Sequence, residues 1–243
     1  MYDNGIYIIS GASNGNGRSI AEKLIRRNKR VINVDINKSE DSLEFFMEFI
    51  GSVDDPKLAK KVLETASKNS EEVYLVNNAG ITLPSKGEYP LEFWKKTLDV
   101  NLTGPYIFLE KFSVEVESNQ IKKGSIVNIG SLSSHRAFPD NPAYVASKHG
   151  VIGLTKYYAW RLGKFGFRVN SVSPGYIRTA MTTKSQSDVE RSRLIEKSTF
   201  LGRWGETDDV SDAVLFLLSE ESTFVSGIDL VVDGGWLAQG LVE

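Results

Sequence analysis

The chain has 243 residues, enough for one large α/β domain or two small ones. Hydrophobic residues make up 41% and charged residues 25%, which fills an ordinary core and excludes a disordered polymer. A net charge of −2 with scattered Lys and Arg argues against nucleic acid as a partner, and the lack of cysteine removes disulfides, thiolate metal sites and cysteine nucleophiles.

Met1 to Ser10 hold no basic segment followed by a long apolar stretch, so no signal peptide is expected. No apolar run approaches the roughly 20 residues that span a bilayer, and a cytoplasmic chain with no membrane partner is the reading. The first strand is expected at Ile6–Ser10. It runs into Gly11-Ala-Ser-Asn-Gly15-Asn-Gly17, and a helix over 17–28 follows at once. Glycines let a backbone turn sharply and approach a phosphate, and a helix N-terminus offers free N–H groups. Gly11, Ser13, Asn14, Gly15 and Gly17 are therefore candidates for cofactor contact, with a plain turn as the alternative. A P-loop is excluded, because its second Gly and its Lys would fall on Asn16 and Gly17. The second strand, Val31–Asp35, ends on a carboxylate suited to accept hydrogen bonds from ribose hydroxyls and to repel a 2′-phosphate. No Arg or Lys stands at Asn14 or directly after Asp35, so NAD is expected over NADP; a surface Asp capping a turn is the competing reading.

Further strands are expected at Phe45–Ile50, Val73–Asn77, Ser125–Gly130, Val169–Val172 and Ile228–Val232. Helices are expected over 56–68, 91–101, 103–118, 143–164 and 207–219. Strands apolar nearly throughout, such as Tyr74–Val76, suit burial on both faces. The β–α alternation predicts a doubly wound, Rossmann-like parallel sheet of seven strands with helices on both faces, in a single domain over 1–243. Residues 180–199 are polar and break the rhythm, as a solvated loop or a lid over a site. With only His135 and His149 available, a His-rich zinc site is unexpected and no metal is assigned.

At this point the chain resembles the short-chain dehydrogenase/reductase family in its single-domain form. The resemblance runs from the glycine loop to Asp233-Gly-Gly-Trp236. It passes through Asn77-Asn-Ala-Gly80, Asn101, Ser131, Tyr144, Lys148 and Ser173-Pro-Gly-Tyr-Ile-Arg-Thr179. It implies a hydride transfer between a nicotinamide and a carbon bearing a hydroxyl or carbonyl. Asn78, Ala79 and Gly80 would line the cofactor cleft. Lys148 would reach the nicotinamide ribose, Pro174 and Gly175 would shape the turn beside the ring, and Ile177 and Thr179 would meet its carboxamide. One departure concerns the adenine contact: the pattern puts Ser52, followed by Val53, where an Asp is common, and Asp54 is an alternative.

Tyr144 and Lys148, four apart on a predicted helix, share one face. A phenol of pKa roughly 10 is a poor base at neutral pH, and a neighbouring ammonium with the positive oxidised cofactor would lower it. Tyr144 then takes or returns the hydroxyl proton. Ser131 suits a hydrogen bond to the reacting oxygen. No His–Asp pair accompanies it, which argues against a serine hydrolase. By resemblance, Asn101 holds a water that links Lys148 to solvent; a main-chain bond within the helix is compatible with that role.

Substrate groups are expected from loops beyond the strand ends, at Thr82–Glu88, Leu132–Asn141 and 180–199, with Ser133, His135, Arg136, Asn141 and Tyr176 as candidates. Their polarity, with that of 180–199, points to a hydroxylated or anionic substrate such as a sugar or polyol rather than a steroid, and a solvated loop is the competing reading. Two other readings stay open: a 3-oxoacyl-thioester reductase, against which Asp35 argues, and a catalytically silent dinucleotide sensor, against which the complete Asn101/Ser131/Tyr144/Lys148 set argues. The resemblance also implies a homotetramer or homodimer joined through the helices at 103–118 and 143–164. Phe108, Phe112, Tyr158, Trp160 and the apolar Trp236–Val242 tail are candidate contacts, some of them shared with the core. Tyr157, Tyr158, Phe45 and Phe46 read as core or interface.

Overall fold

A computed structural model describes residues 5–39 and 43–238. Seven parallel strands form one sheet in the order β3-β2-β1-β4-β5-β6-β7: β1 (Ile6–Ser10), β2 (Arg30–Asp35), β3 (Met47–Ile50), β4 (Val73–Asn77), β5 (Ser125–Ile129), β6 (Arg168–Pro174) and β7 (Asp229–Val232). Alternation along β1 sends Ile6 and Ile8 to one hydrophobic cluster and Tyr7 and Ile9 to another. The two faces are thereby both apolar, and each is covered. Helix α1 (Gly15–Arg26) shares the Tyr7/Ile9 side with a late helix, Thr207–Leu218. Helix α2 (Pro56–Asn69) shares the Ile6/Ile8 side with the long helices of the chain's middle. Each fully buried Ile or Leu in these clusters contributes about 1.5–3 kcal/mol.

Local chemistry sets the helix starts. Asp55 accepts from the Lys57 N–H at 2.8 Å and Pro56 fills the first helical position, so α2 begins there. The expected helices over 91–101 and 103–118 are one run: α3 (Leu91–Leu98), a π-helical turn at Asp99–Thr103, and α4 (Gly104–Glu117). Helix α5 (Pro142–Gly163) follows β5, its start capped by Asn141, which accepts from the Tyr144 N–H at 3.2 Å.

Two expectations change. The third strand is shorter than Phe45–Ile50, because pairing with β2 begins at Met47; Phe45 and Phe46 instead pack on opposite faces of the sheet. Residues 180–199 are not an irregular loop. They hold a 3-10 turn (Ala180–Thr182), α6 (Thr183–Ser187) and α7 (Val189–Lys197), and their polarity reflects exposed helix faces around the buried Ile195. Helix α8 (Thr207–Leu218) completes the second face. Among the described residues, no helix is long and apolar enough to cross a membrane.

Strand order reverses at β1: β2 and β3 lie to one side, β4 to β7 to the other. Loops leaving the carboxyl ends of β1 and β4 part there, which opens a crevice along the sheet edge.

Candidate active site

The crevice is a cleft of about 640 Å³ that runs from Asp35 to Tyr144 and Tyr176. At its first end the chain turns on Gly11 (φ +70°) and Gly15 (φ +56°), a region open to glycine. A Cβ on Gly17 would collide with the Gly11 carbonyl and the Asn78 amide. The loop is clamped from behind. Buried Asn33 accepts from the Ala12 N–H and donates to Ser13 Oγ, both at 3.2 Å. Ser10 Oγ accepts from the Asn78 and Ala79 N–H groups at 3.0 Å, while the Asn78 amide donates to the Ser10 and Gly11 carbonyls at 3.0 Å.

Gly11, Asn14 and Gly15 line the cleft, whereas Ser13 and Gly17 lie behind that surface. The Asp35 carboxylate accepts from the Ser13 N–H at 3.2 Å and the Asn37 N–H at 3.1 Å and stands at the cleft wall. Ser52 and Val53 line the cleft; Asp54 does not. Asn78, Ala79 and Gly80 follow along its floor, with Pro174, Gly175, Ile177 and Thr179 opposite. A dinucleotide fits these residues on two grounds. Gly11 and Gly15 bring bare backbone to the cleft wall ahead of the α1 N-terminus, and Asn16 Oδ1 beside them is buried with no hydrogen-bond partner among the described residues.

At the far end, α5 presents Tyr144 and Lys148 one turn apart, with the Lys148 ammonium 5.6 Å from the Tyr144 ring centroid. Lys148 is buried, and its Nζ donates to the Ile129 carbonyl at 2.8 Å. Desolvation brings its pKa down to about 8. The expected lowering of the phenol is not present in the protein alone: burial pushes the Tyr144 pKa up, and only the Ser131 hydroxyl beside it acts the other way. The physical reason is that the half-buried phenol is desolvated by the groups packed around it, while the ammonium hydrogen-bonds to the Ile129 carbonyl.

Ser131 ends the β5 loop. Its N–H donates to Ser134 Oγ and Ser173 Oγ at 3.2 Å, and its own Oγ accepts from the Ser133 N–H at 3.1 Å. Asn101 sits in the π-helical turn, outside the cleft lining. Its side chain accepts from the Ile81 N–H at 2.8 Å and donates to the Ile81 carbonyl at 2.9 Å. Gly80 separates Asn101 from Lys148: a Cβ there would lie 3.4 Å from Asn101 Oδ1 and 3.7 Å from Lys148 Nζ.

The substrate candidates divide. Ser133, Asn141 and Tyr176 line the cleft. His135 and Arg136 do not: His135 Nε2 lies 2.6 Å from Asp229 Oδ2, and the Arg136 guanidinium stacks 5.3 Å over Trp236. Both follow the short 3-10 turn at Leu132–Ser134, which carries them away from Tyr144. Asn141 bonds Thr82 Oγ1 at 2.8 Å and the Tyr89 hydroxyl at 3.1 Å, tying the loops together. Sequence reasoning missed Ser10 and Asn33, whose partners come from loops on neighbouring strands. Phe138 and Arg191 in the cleft wall fall within the expected segments 132–141 and 180–199, without having been singled out there. The Ser10-to-Asn78 spacing carried no local signal; a polar Asn33 inside an apolar strand did.

A glycine-cornered crevice at a strand-order reversal, closed at one end by a phenol and an amine on one helix, is the arrangement of a dinucleotide-dependent oxidoreductase. The family model described as enoyl-(acyl carrier protein) reductase matches residues 11–237. The 2-dehydro-3-deoxy-D-gluconate 5-dehydrogenase of Bacillus subtilis is 35% identical over 96% of this chain and 94% of its own. A solved structure from Agrobacterium tumefaciens, assigned as a 2-deoxy-D-gluconate 3-dehydrogenase with bound NADP, has a TM-score of 0.90 at 31% identity, covering 98% of both chains. 4-Hydroxyisoleucine dehydrogenase complexed with NADH has a TM-score of 0.89 at 32% identity, covering 98% of this chain and all of that one. The chain belongs to the short-chain dehydrogenase/reductase family, oxidoreductases that act on CH–OH groups.

Proposed function

We propose that the chain interconverts a secondary alcohol and a ketone, or a hemiacetal and a lactone, with NAD(H) on a polar substrate such as a sugar or polyol. The observation that carries this reading is Tyr144, Lys148 and Ser131 lining the same cleft as Asp35 or forming its dry end. Asp35 supports NAD, because a fixed carboxylate at the end of β2 repels a 2′-phosphate. When bound, the oxidised dinucleotide accepts hydride and adds positive charge beside the phenol. Ser131 holds the reacting oxygen, and Tyr144 takes its proton as the carbon gives up hydride. Lys148, with a pKa near 8, exchanges that proton readily near neutral pH. Asn101, bonded to Ile81 on the other side of Gly80, holds the relay toward solvent. In the reverse direction Tyr144 returns the proton.

The chain acts in this reading as a single domain of a cytoplasmic homotetramer or homodimer. A 3-oxoacyl-thioester reductase is the second reading, favoured by the acyl-carrier-protein description of the matching family model. Oxidation of a sugar and polyol panel with NAD, set against reduction of an acetoacetyl thioester with NADPH, separates them. Turnover in the first assay is expected; thioester reduction with no sugar or polyol turnover reverses the assignment.

A further inference from the structure

The substrate end of the cleft is electrically one-sided. Among the described residues that line the cleft, Asp35, at the nucleotide end, is the one acidic side chain, whereas Lys96, Lys148 and Arg191 are its cations. Lys148 is committed to Ile129, which leaves Lys96 on α3 and Arg191 on α7, and Arg191 is the one beside Tyr176. Helix α7 is anchored beside the cleft, and Arg191, an exposed side chain, borders the opening: Asp188 caps the helix through the Arg191 N–H at 3.0 Å, Ser192 Oγ accepts from Trp204 Nε1 at 2.9 Å, and Ile195 is buried.

Two neighbouring arginines are paired with carboxylates. Arg178 pairs with Glu206 at 3.3 Å and Glu196 at 3.6 Å, and Arg203 pairs with Asp209 at 2.8 Å. Arg191 has no carboxylate partner among the described residues. Its guanidinium lies against the phenol of Tyr176, whose pKa burial raises and Arg191 lowers. A neutral phenol satisfies little of a five-donor fork built for planar anions.

Around this group the wall is aromatic. Tyr176 packs edge-on to Trp204 at 5.7 Å and to Trp236 at 5.6 Å, and Trp236 stacks on Phe138 at 5.9 Å. Phe138 and Tyr176 reach the cleft, and Ser133 and Asn141 supply polar groups beside them. Ring faces suit the C–H side of a carbon chain, and the polar groups suit its hydroxyls.

Building on the oxidoreductase reading above, we propose that Arg191 is a specificity-determining residue that binds the carboxylate of a polyhydroxy acid, so that the substrate class is the aldonates rather than the neutral sugars or alditols.

The test compares matched pairs, an aldonate and the alditol of the same configuration, with NAD as acceptor. The wild type is expected to prefer the aldonate. In Arg191→Gln the ratio of kcat/KM for aldonate over alditol is expected to fall by about tenfold or more, mostly through KM, the low end for losing a hydrogen bond to a charged group. Arg191→Lys is expected to restore part of that ratio, because it keeps the charge and loses the fork. An unchanged ratio in Arg191→Gln overturns the proposal, as does alditol oxidation by a wild type that leaves aldonates untouched; both leave the oxidoreductase reading standing. No turnover of any pair, in a protein that binds NADH by fluorescence titration, sinks that reading and this one with it.

Discussion

Lys148 is a cation held where charge is disfavoured, and this sets a measurable cost. Its pKa falls from the usual 10.5 to about 8 on burial, so the unfolded chain binds more protons than the folded one between those values. Stability therefore rises with pH from 8 to 10.5, and below 8 the whole penalty, about 3 kcal/mol, is present. Without cofactor, Lys148→Met should lose turnover and yet melt several degrees higher than wild type at pH 7. The difference should shrink as pH approaches 10.5; equal melting curves at pH 7 would show that the ammonium is solvated. Tyr144→Phe should still bind NADH in a fluorescence titration and lose turnover by about 10²-fold or more. Ordinary activity in that variant would remove Tyr144 as the base. Asp35→Ser should raise the NADP-over-NAD ratio of kcat/KM about tenfold or more, and a wild type that already prefers NADP contradicts the reading of Asp35.

Among the elements, the turn from β1 into α1 has the least slack. Gly17 packs on the Gly11 carbonyl and the Asn78 amide, and that amide itself binds Ser10 and Gly11. Gly17→Ala is expected to cost about 1–3 kcal/mol through overpacking and to abolish dinucleotide binding, read by chemical denaturation and NADH fluorescence. Unaltered binding would mean that the two loops part easily. Glycine spacing was legible in the sequence, and so was the helix that follows. The clamp was not, because Asn33, Ser10 and Asn78 meet only when β2 and β4 flank β1. Likewise, two helices were expected around Asn101, and the π-helical turn joins them with Asn101 at its centre.

Across the whole molecule, the interface expectation is reshaped by burial. Phe108, Phe112 and Tyr158 belong to the chain's own core, whereas Trp160 is 76% and Tyr157 50% exposed on α5, their rings 5.8 Å apart. Trp236 is committed to Phe138, Tyr176 and Arg136, and residues 239–242 of the expected tail lie outside the described residues. Tyr106 and Val114, on α4, are exposed as well. An apolar face of this kind suits a second copy of the chain. Light scattering at micromolar concentration should give the mass of two or four chains, and Trp160→Lys should shift it downward. A monomer in the wild type would contradict the assembly.

The sequence alone was sufficient for the fold class, the strand-loop-helix opening and the Tyr144/Lys148 pair. Each rests on spacing along the chain, and spacing is local: period two or 3.6, a glycine where a turn needs it, four residues for one helical turn. Tertiary structure alone decided which polar side chains meet and how dry they are. His135 and Arg136 stand close to Ser131 in sequence and turn away, while Arg191 joins Tyr176 from another element. The Lys148 pKa depends on burial that no neighbour in sequence supplies. Proximity across a sheet is set by strand order, and desolvation by everything packed around a group.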